Sequence, residues 1–387
     1  MTLPPIPPRK PNKFRAFWSQ VSEGFELHQL WGQFVSEAKA SYQLYSADVK
    51  WDDIQSRNKF GKFVRSVWAL FQALLMKLTP ARRVVLLVAI VLLFIHPNIH
   101  LNDGRRIELT FSPISSIILF VLLALELADR VTMKRDLEIA REIQEWLVPD
   151  TAPKVPGFDI AFASRPQNTV AGDYYDAFIR PATSVASKAQ PLLIVVADVA
   201  GKSIPAALLM ATFQASLHAL SSTPVSLDEL VTGLDRYCQE HSLEGRRFTT
   251  AFLAELQIET RELIYVNAGH NNPILRRASG SIERLSSGGP PFGIPAFSGT
   301  GRSYESGRVR LDAGDLLFIF TDGVVEAVND ADEDYGETRL LACLGNGQHE
   351  SAEATVKRVM ADVNSFAGYA RQYDDITAFV LRVNSPV

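Results

Sequence analysis

The 387-residue chain has little cysteine: two residues, Cys238 and Cys343, far apart in sequence. They form no Cys-x-x-Cys pair, no zinc spacing and no disulfide framework. A reducing compartment is the reading for the part that holds them. Neither is followed by Arg at Cys-x5-Arg spacing, which excludes the thiol route to phosphate-ester cleavage. The chain also lacks any excess of positive charge. Its 39 Lys and Arg stand against 43 Asp and Glu, a net charge of -4, so no nucleic-acid partner is expected. No internal repeat and no secretory signal is visible. The opening MTLPPIPPRKPNKF is Pro-rich and basic and reads as disordered. One glycine is missing where it would matter. VVADVAGKSIPAALLM contains Gly201-Lys202-Ser203, half of a phosphate-binding loop, yet Val196 stands where that loop needs its first glycine. The backbone wrap around phosphates cannot form, so the chemistry of this stretch falls to Asp198.

Long apolar runs are present. Val84 to Ile95 is continuously apolar and Leu109 to Leu127 nearly so. A membrane span needs about 20 apolar residues, with a lower limit near 17. The first run is short and needs Arg83 to snorkel. The second carries Pro113 and three serines. The polar connection HPNIHLNDGRRIE makes the pair a hairpin over 81–127. Lys77, Arg82 and Arg83 before it, and Arg130, Lys134 and Arg135 after it, outweigh Arg105 and Arg106 in the loop. The bias puts both termini in the cytoplasm. A buried helical hairpin of a soluble protein is the alternative. Region 1–80 is a cytoplasmic or interfacial helical segment, with an amphipathic stretch from Phe60 to Leu78 suited to lipid headgroups or to packing on another helix. Residues 128–150 form a linker helix ended by Pro149. Met133, Leu137, Ala140, Gln144 and Leu147 give it a short heptad seam, read either as a homodimer stalk or as a face on the next domain.

From 153 to 385 the pattern changes. Strands are expected at 248–256, 262–269, 273–278, 308–311, 315–322 and 375–383, and helices at 203–220, 226–241 and 351–367. Short connections favour antiparallel pairing. The fold class is α+β: sheet layers covered by helices. Four acidic positions stand at the mouths of apolar strands: Asp173 in AGDYYDAF, Asp198 in LLIVVAD, Asp322 in IFTDGVVEA, and Asp374-Asp375 in QYDDITAFV. One such Asp is ordinarily a turn or capping residue. Four converging on one cleft would repel one another unless a cation joined them. All-oxygen donors suit Mg²⁺ or Mn²⁺ rather than zinc. Two such ions about 3.5–4 Å apart can activate a bridging water for in-line attack on a phosphoryl group.

These segments resemble a known family. AREIQEWLVP, AGDYYD, ADVAGKSIPAAL, FTTAF, VNAGHNNP, GGPPFGI, FTDGVVEA and DDIT occur in this order from about Ile139 to Val383. The stretch is similar to the SpoIIE-type branch of the PPM (type 2C-like) metal-dependent serine/threonine protein phosphatases. The resemblance implies a PPM-type α/β sandwich of two antiparallel sheets flanked by helices, with two Mn²⁺ or Mg²⁺ ions at one end. By motif, Asp173 would bind the first metal. Asp198 would bridge both metals, helped by the carbonyl of Val199. Asp322 and Asp374 would bind the second. Asp375 falls where the superfamily often has Asn, and Asp176 is left without a firm role. The branch acts on phosphoserine or phosphothreonine of STAS-type anti-sigma-factor antagonists, and is regulated through its N-terminal module and lead-in helix.

Two departures stand out: Ala171 replaces the first glycine of Gly-Gly-Asp, and Ser203 stands where glycine is common. Both leave every proposed acid in place. His270 reads as a hydrogen-bonded turn residue shaping the cleft, against a general-acid role. Lys202 is either near phosphate or solvated, and Thr249 and Thr250 are strand residues near the core. The expectation is a membrane-anchored phosphoprotein phosphatase of the bacterial cytoplasmic membrane, its partners a phosphoprotein and lipid. A catalytically silent phosphoprotein-binding regulator and a small-molecule phosphoesterase are the alternatives.

Overall fold

Period-two burial builds the fold. In LLIVVADV, Leu192, Ile194 and Val196 point one way and Leu193, Val195 and Ala197 the other, and all six are fully buried. A strand with two apolar faces must lie between two layers. The structure, a computed structural model, describes residues 75–95, 98–100, 106–108, 110–182, 190–201, 203–241, 247–294, 304–347 and 350–384, with Trp68, Phe71 and Gln72. The Pro-rich start, nearly all of the region 1–80 reading, and Lys202 lie outside the described residues. The chain divides into two compact units, one through Arg130 and one from Val131.

In the first unit, α1 (Pro80–Phe94) is followed by a small antiparallel ribbon, β1 (Asn98–His100) and β2 (Arg106–Glu108). The polar connection, expected as a short loop, pairs with itself instead. α2 (Ser112–Glu145) then runs 34 residues without a break, so the second apolar run and the linker are one helix. It stops at Glu145, four residues before Pro149: the last turn tightens, with the Leu147 N–H donating to the Gln144 carbonyl at 3.0 Å. Within this unit the Ser115 hydroxyl donates to the Ala89 carbonyl at 2.6 Å, joining α1 to α2. Arg82 pairs with Glu126 and Asp129. The large apolar side chains of both helices face outward: Val84, Phe94, Phe120 and Leu123 are each 60% exposed or more.

The second unit is an α-β-β-α sandwich. One sheet has the order β10 (Gly288–Gly289), β7 (Glu262–Ala268), β6 (Thr249–Gln257), β5 (Leu192–Val199), β4 (Asp173–Ile179), with β11 (Gly307–Arg310) also on β7. The other has the order β3 (Phe158–Arg165), β13 (Ile376–Val383), β12 (Leu316–Phe320), β8 (Ile274–Arg276), β9 (Ile282–Arg284). All pairings are antiparallel except the two-residue β10 on β7. Between the sheets lie Val196, Phe252, Ile319 and Phe379. The outer face of the first sheet packs Leu193 and Val195 against α3 (Ile204–Ser221) and α4 (Leu227–Glu240), through Met210, Phe213 and Leu230. The outer face of the second packs Phe318 and Val380 against α5 (Gly336–Gly345) and α6 (Ala352–Ala367), through Leu340, Val356 and Val359. α4 opens with a reciprocal capping box between Ser226 and Glu229. Among the described residues, α3 is the one helix that passes as a membrane span by length and composition, but its apolar face lies on the sheet.

The α+β sandwich is therefore as expected, and the expected strands and helices of the second unit fall within a few residues of their positions. α5, the edge strand β3 and the short β9 and β10 were not foreseen.

Candidate metal centre

The strand parity that fills the core also gathers the acids. Asp173 and Asp198 are paired residues across β4 and β5. Asp198 shares parity with Val196, and Asp173 with Tyr175 and Ala177, so both project between the sheets at the strand ends. From the opposite sheet come Thr321, which follows β12, and Thr377 on β13, each in step with the inward residues Ile319 and Phe379. Asp173 Oδ2 accepts from the Thr321 hydroxyl at 2.9 Å and from the Thr377 hydroxyl at 2.5 Å. This buried carboxylate ties the two sheets together.

Asp322 opens a single 3₁₀ turn directly after Thr321. The glycine after it is required: a Cβ on Gly323 would fall 2.0 Å from the Asp375 carbonyl oxygen. That approach brings the Asp322 turn against the Asp374-Asp375 segment. Asp375 serves as a strap. Its Oδ1 accepts from the Gln167 N–H and its Oδ2 from the Gly172 N–H, both at 2.6 Å. It thereby fixes the loop that delivers Asp173. A Cβ on Gly172 would lie 3.1 Å from the Val199 carbonyl oxygen and 3.7 Å from Asp198 Oδ1, so that carbonyl borders the same mouth.

Burial, followed by the charges of Asp198 and Asp375, pushes the Asp173 carboxyl well above the usual range. Burial also raises Asp375, against the opposing effect of its backbone hydrogen bonds. Among the described residues, no three Asp, Glu, His or Cys side chains close tightly enough to count as a metal cluster. Like charges facing one another stay apart without a cation. The donor set nonetheless fits hard divalent ions: carboxylates and one backbone carbonyl at a strand mouth, with no thiolate or imidazole. Asp173, Asp198, Val199, Asp322 and Asp374 all sit at this one end.

Asp176 does not. It has the opposite parity to Asp173 and lies under α3, accepting from the Tyr174 hydroxyl at 2.7 Å, with His218 Nε2 at 2.8 Å. His270 is buried; its Nδ1 is 3.1 Å from the Thr250 hydroxyl and its backbone N–H donates to Asn267 Oδ1 at 2.7 Å. Burial pushes its pKa down to about 4, so it is neutral at neutral pH and fits the turn reading. Ser203, where glycine is common, has φ +65°, a conformation that favours glycine.

Sequence reasoning missed Thr321, Thr377, Gln167 and the role of Gln144. The Gln144 amide donates to the Ala171 carbonyl at 2.7 Å and accepts from the Ala171 N–H at 2.9 Å. The last turns of α2 are thus clamped two residues before Asp173. The heptad position Gln144 faces the domain, which favours the second of the two readings of that seam at this end of the helix.

The family model described as Stage II sporulation protein E (SpoIIE) matches residues 188–384. The phosphoserine phosphatase RsbU of Bacillus subtilis is 26% identical over 251 residues, covering 65% of this chain and 70% of that protein. Protein IcfG of Synechocystis is 26% identical over 294 residues, and the match spans 44% of its length. Among solved structures, the SiaA PP2C domain of Pseudomonas aeruginosa aligns with TM-score 0.56 at 20% identity, covering 66% of this chain and 98% of that domain. That likeness concerns the fold.

Proposed function

The chain belongs to the SpoIIE family, and from that premise we propose that it is a membrane-anchored, metal-dependent serine/threonine protein phosphatase. The observation that carries this reading is the buried Asp173, set beside Asp198 and Asp375 at the end of the sandwich where Asp322 and Asp374 also stand. A fold that brings carboxylates to one end in this way is suited to a compensating cation. Asp173, Asp198, the Val199 carbonyl, Asp322 and Asp374 would hold two Mn²⁺ or Mg²⁺ ions. When bound, such a pair supplies an activated water and neutralises the phosphoryl oxygens. The chain's own residues position. Thr321 and Thr377 fix the rotamer of Asp173, Asp375 fixes the loop, and Gly323 lets the two acidic segments meet. The phosphoserine phosphatase RsbU, as a relative, supports a phosphoserine or phosphothreonine protein as substrate. Within that class, a STAS-type anti-sigma-factor antagonist is the proposed partner.

The outward apolar faces of α1 and α2 support membrane anchoring, and the Lys/Arg bias of the flanking segments supports both termini and the phosphatase unit in the cytoplasm. Exposed Val131, Ile139 and Ile143, which lie on a different face of α2 from the Met133–Leu147 seam, support a homodimer through that helix.

The test is hydrolysis of a phosphoserine protein by the full chain with Mn²⁺, Mg²⁺ or EDTA. Activity should require metal and fall at least about a hundredfold in Asp198→Asn and Asp322→Asn, with circular dichroism unchanged. Undiminished turnover in both variants would sink the reading.

A further inference from the structure

Beside the acid cluster, but outside it, lies a cavity of about 220 Å³. Asp374 forms part of one wall; Asp173, Asp198 and Asp322 do not line it. Two arginines do, Arg165 and Arg371. Arg165 ends β3, and the β3–β13 register sets it against Ile376, two residues past Asp374. The Gln372 amide fixes this juxtaposition, donating to the Arg165 carbonyl at 2.9 Å and to the Asp374 carbonyl at 2.7 Å. The backbones of the arginine and of the proposed metal ligand are thus held by one side chain.

The Arg165 guanidinium is half-buried and has no ion pair or hydrogen bond among the described residues. Its Nε is buried and unpartnered. A guanidinium partly withdrawn from water and left without an anion is unfavourable. Burial accordingly presses its pKa downward. Glu326 and Asp374 line the same cavity. Arg371, exposed at the rim, adds a second positive charge. The cavity is smaller than the ~300–1,000 Å³ typical of drug-sized ligand sites, and admits one side chain. A planar, forked donor set matches a carboxylate through two parallel hydrogen bonds.

We infer that this cavity is a specificity subsite for an acidic side chain, Asp or Glu, lying close in sequence to the phosphorylated residue of the protein substrate. Arg165 is its main contact and Arg371 its rim. The inference rests on the phosphatase reading above and deepens it: the metal end would take the phosphoryl group, and the arginine cavity its acidic flank.

Two phosphoserine peptides test it, identical except that one carries Glu and the other Gln at the positions flanking the phosphoserine. kcat/KM is measured with the full chain in detergent micelles and Mn²⁺, for the wild type and for Arg165→Gln, Arg165→Lys and Arg371→Gln. The wild type should favour the Glu peptide by about tenfold, the scale of a charge-assisted hydrogen bond. That ratio should fall to near one in Arg165→Gln, fall partway in Arg371→Gln, and survive in part in Arg165→Lys. It should also shrink at high salt, because the rim charge is screened. A wild-type ratio near one, or a ratio unmoved in both Gln variants, overturns the subsite while leaving the phosphatase intact. Arg371 is exposed, so its variant keeps the test decisive if Arg165→Gln does not fold. If the wild type hydrolyses neither peptide, the phosphatase reading fails and the subsite falls with it.

Discussion

Asp173 is a carboxylate held where the fold alone does not favour its charge. Its folded pKa stands above its unfolded value, so the metal-free protein loses stability as pH rises from the unfolded pKa, near 3.8, through the folded one. With EDTA, the unit from Val131 onward should therefore melt higher at pH 5 than at pH 7. Saturating Mn²⁺ should flatten that slope, because a bound cation reverses the sign of the local field. Asp173→Asn should flatten it too, while losing metal-induced stabilisation. Thermal melting at the two pH values decides the matter; a slope of the opposite sign would refute it. The acids were legible in the sequence because each ends or begins an apolar strand beside a turn. Their hydroxyl partners were not. Thr321 and Thr377 read as ordinary β-formers, and only the sheet register shows that both reach one carboxylate. The role that the motif left open for Asp176 is settled by parity along DYYDAF, which sets it on the face opposite Asp173.

At the scale of elements, the Gln144–Ala171 clamp is where the linker meets the site. Two hydrogen bonds at roughly 1 kcal/mol each hold the loop that delivers Asp173. Gln144→Ala should leave the second unit folded, with a loss of about 1–2 kcal/mol in urea denaturation, and should lower kcat by about tenfold if loop placement sets catalytic geometry. Gln144→Glu should be worse, since it offers an acceptor to the Ala171 carbonyl. Steady-state kinetics on a phosphoprotein measures this; unchanged kcat in both variants would leave the clamp a purely structural contact. The long helices of this unit could be read from periodicity because one face of each is apolar: Leu230, Val231 and Leu234 on α4, and Val356, Val359 and Val363 on α6; β3 could not, because FDIAFASR alternates only weakly in burial. α5 escaped notice because its ten residues bury only Leu340, Cys343 and Leu344, too few turns for a pattern. The clamp escaped because a single glutamine in a charged helix carries no sign of its partner 27 residues on.

At the scale of the whole molecule, the described helices α1 and α2 in the unit through Arg130 expose apolar side chains that water does not tolerate in quantity. α1 has 15 residues and one buried side chain, Ala89. Its rise of about 22 Å is short of a hydrocarbon core of about 30 Å. Bilayer thinning and snorkelling of Arg82 and Arg83 can supply the difference at modest cost. The contact between the two helices uses small residues, Ala89 and Ser115, with the serine hydroxyl bonded to a carbonyl, an arrangement that would suit packing in lipid. At one end Arg82 meets Glu126 and Asp129, so three charges at the α1 start are paired rather than bare. The full chain should therefore pellet with membranes and resist alkaline carbonate, while a chain starting at Val131 should stay in the supernatant. Replacing exposed Val84, Val88, Phe120 and Leu123 by Ser should release the full chain from membranes without lowering metal-dependent turnover by the second unit. If those variants stay bound, or if the unmodified chain is carbonate-soluble, the apolar exterior is an interface for protein rather than for lipid, and the hairpin is a docking element instead of an anchor.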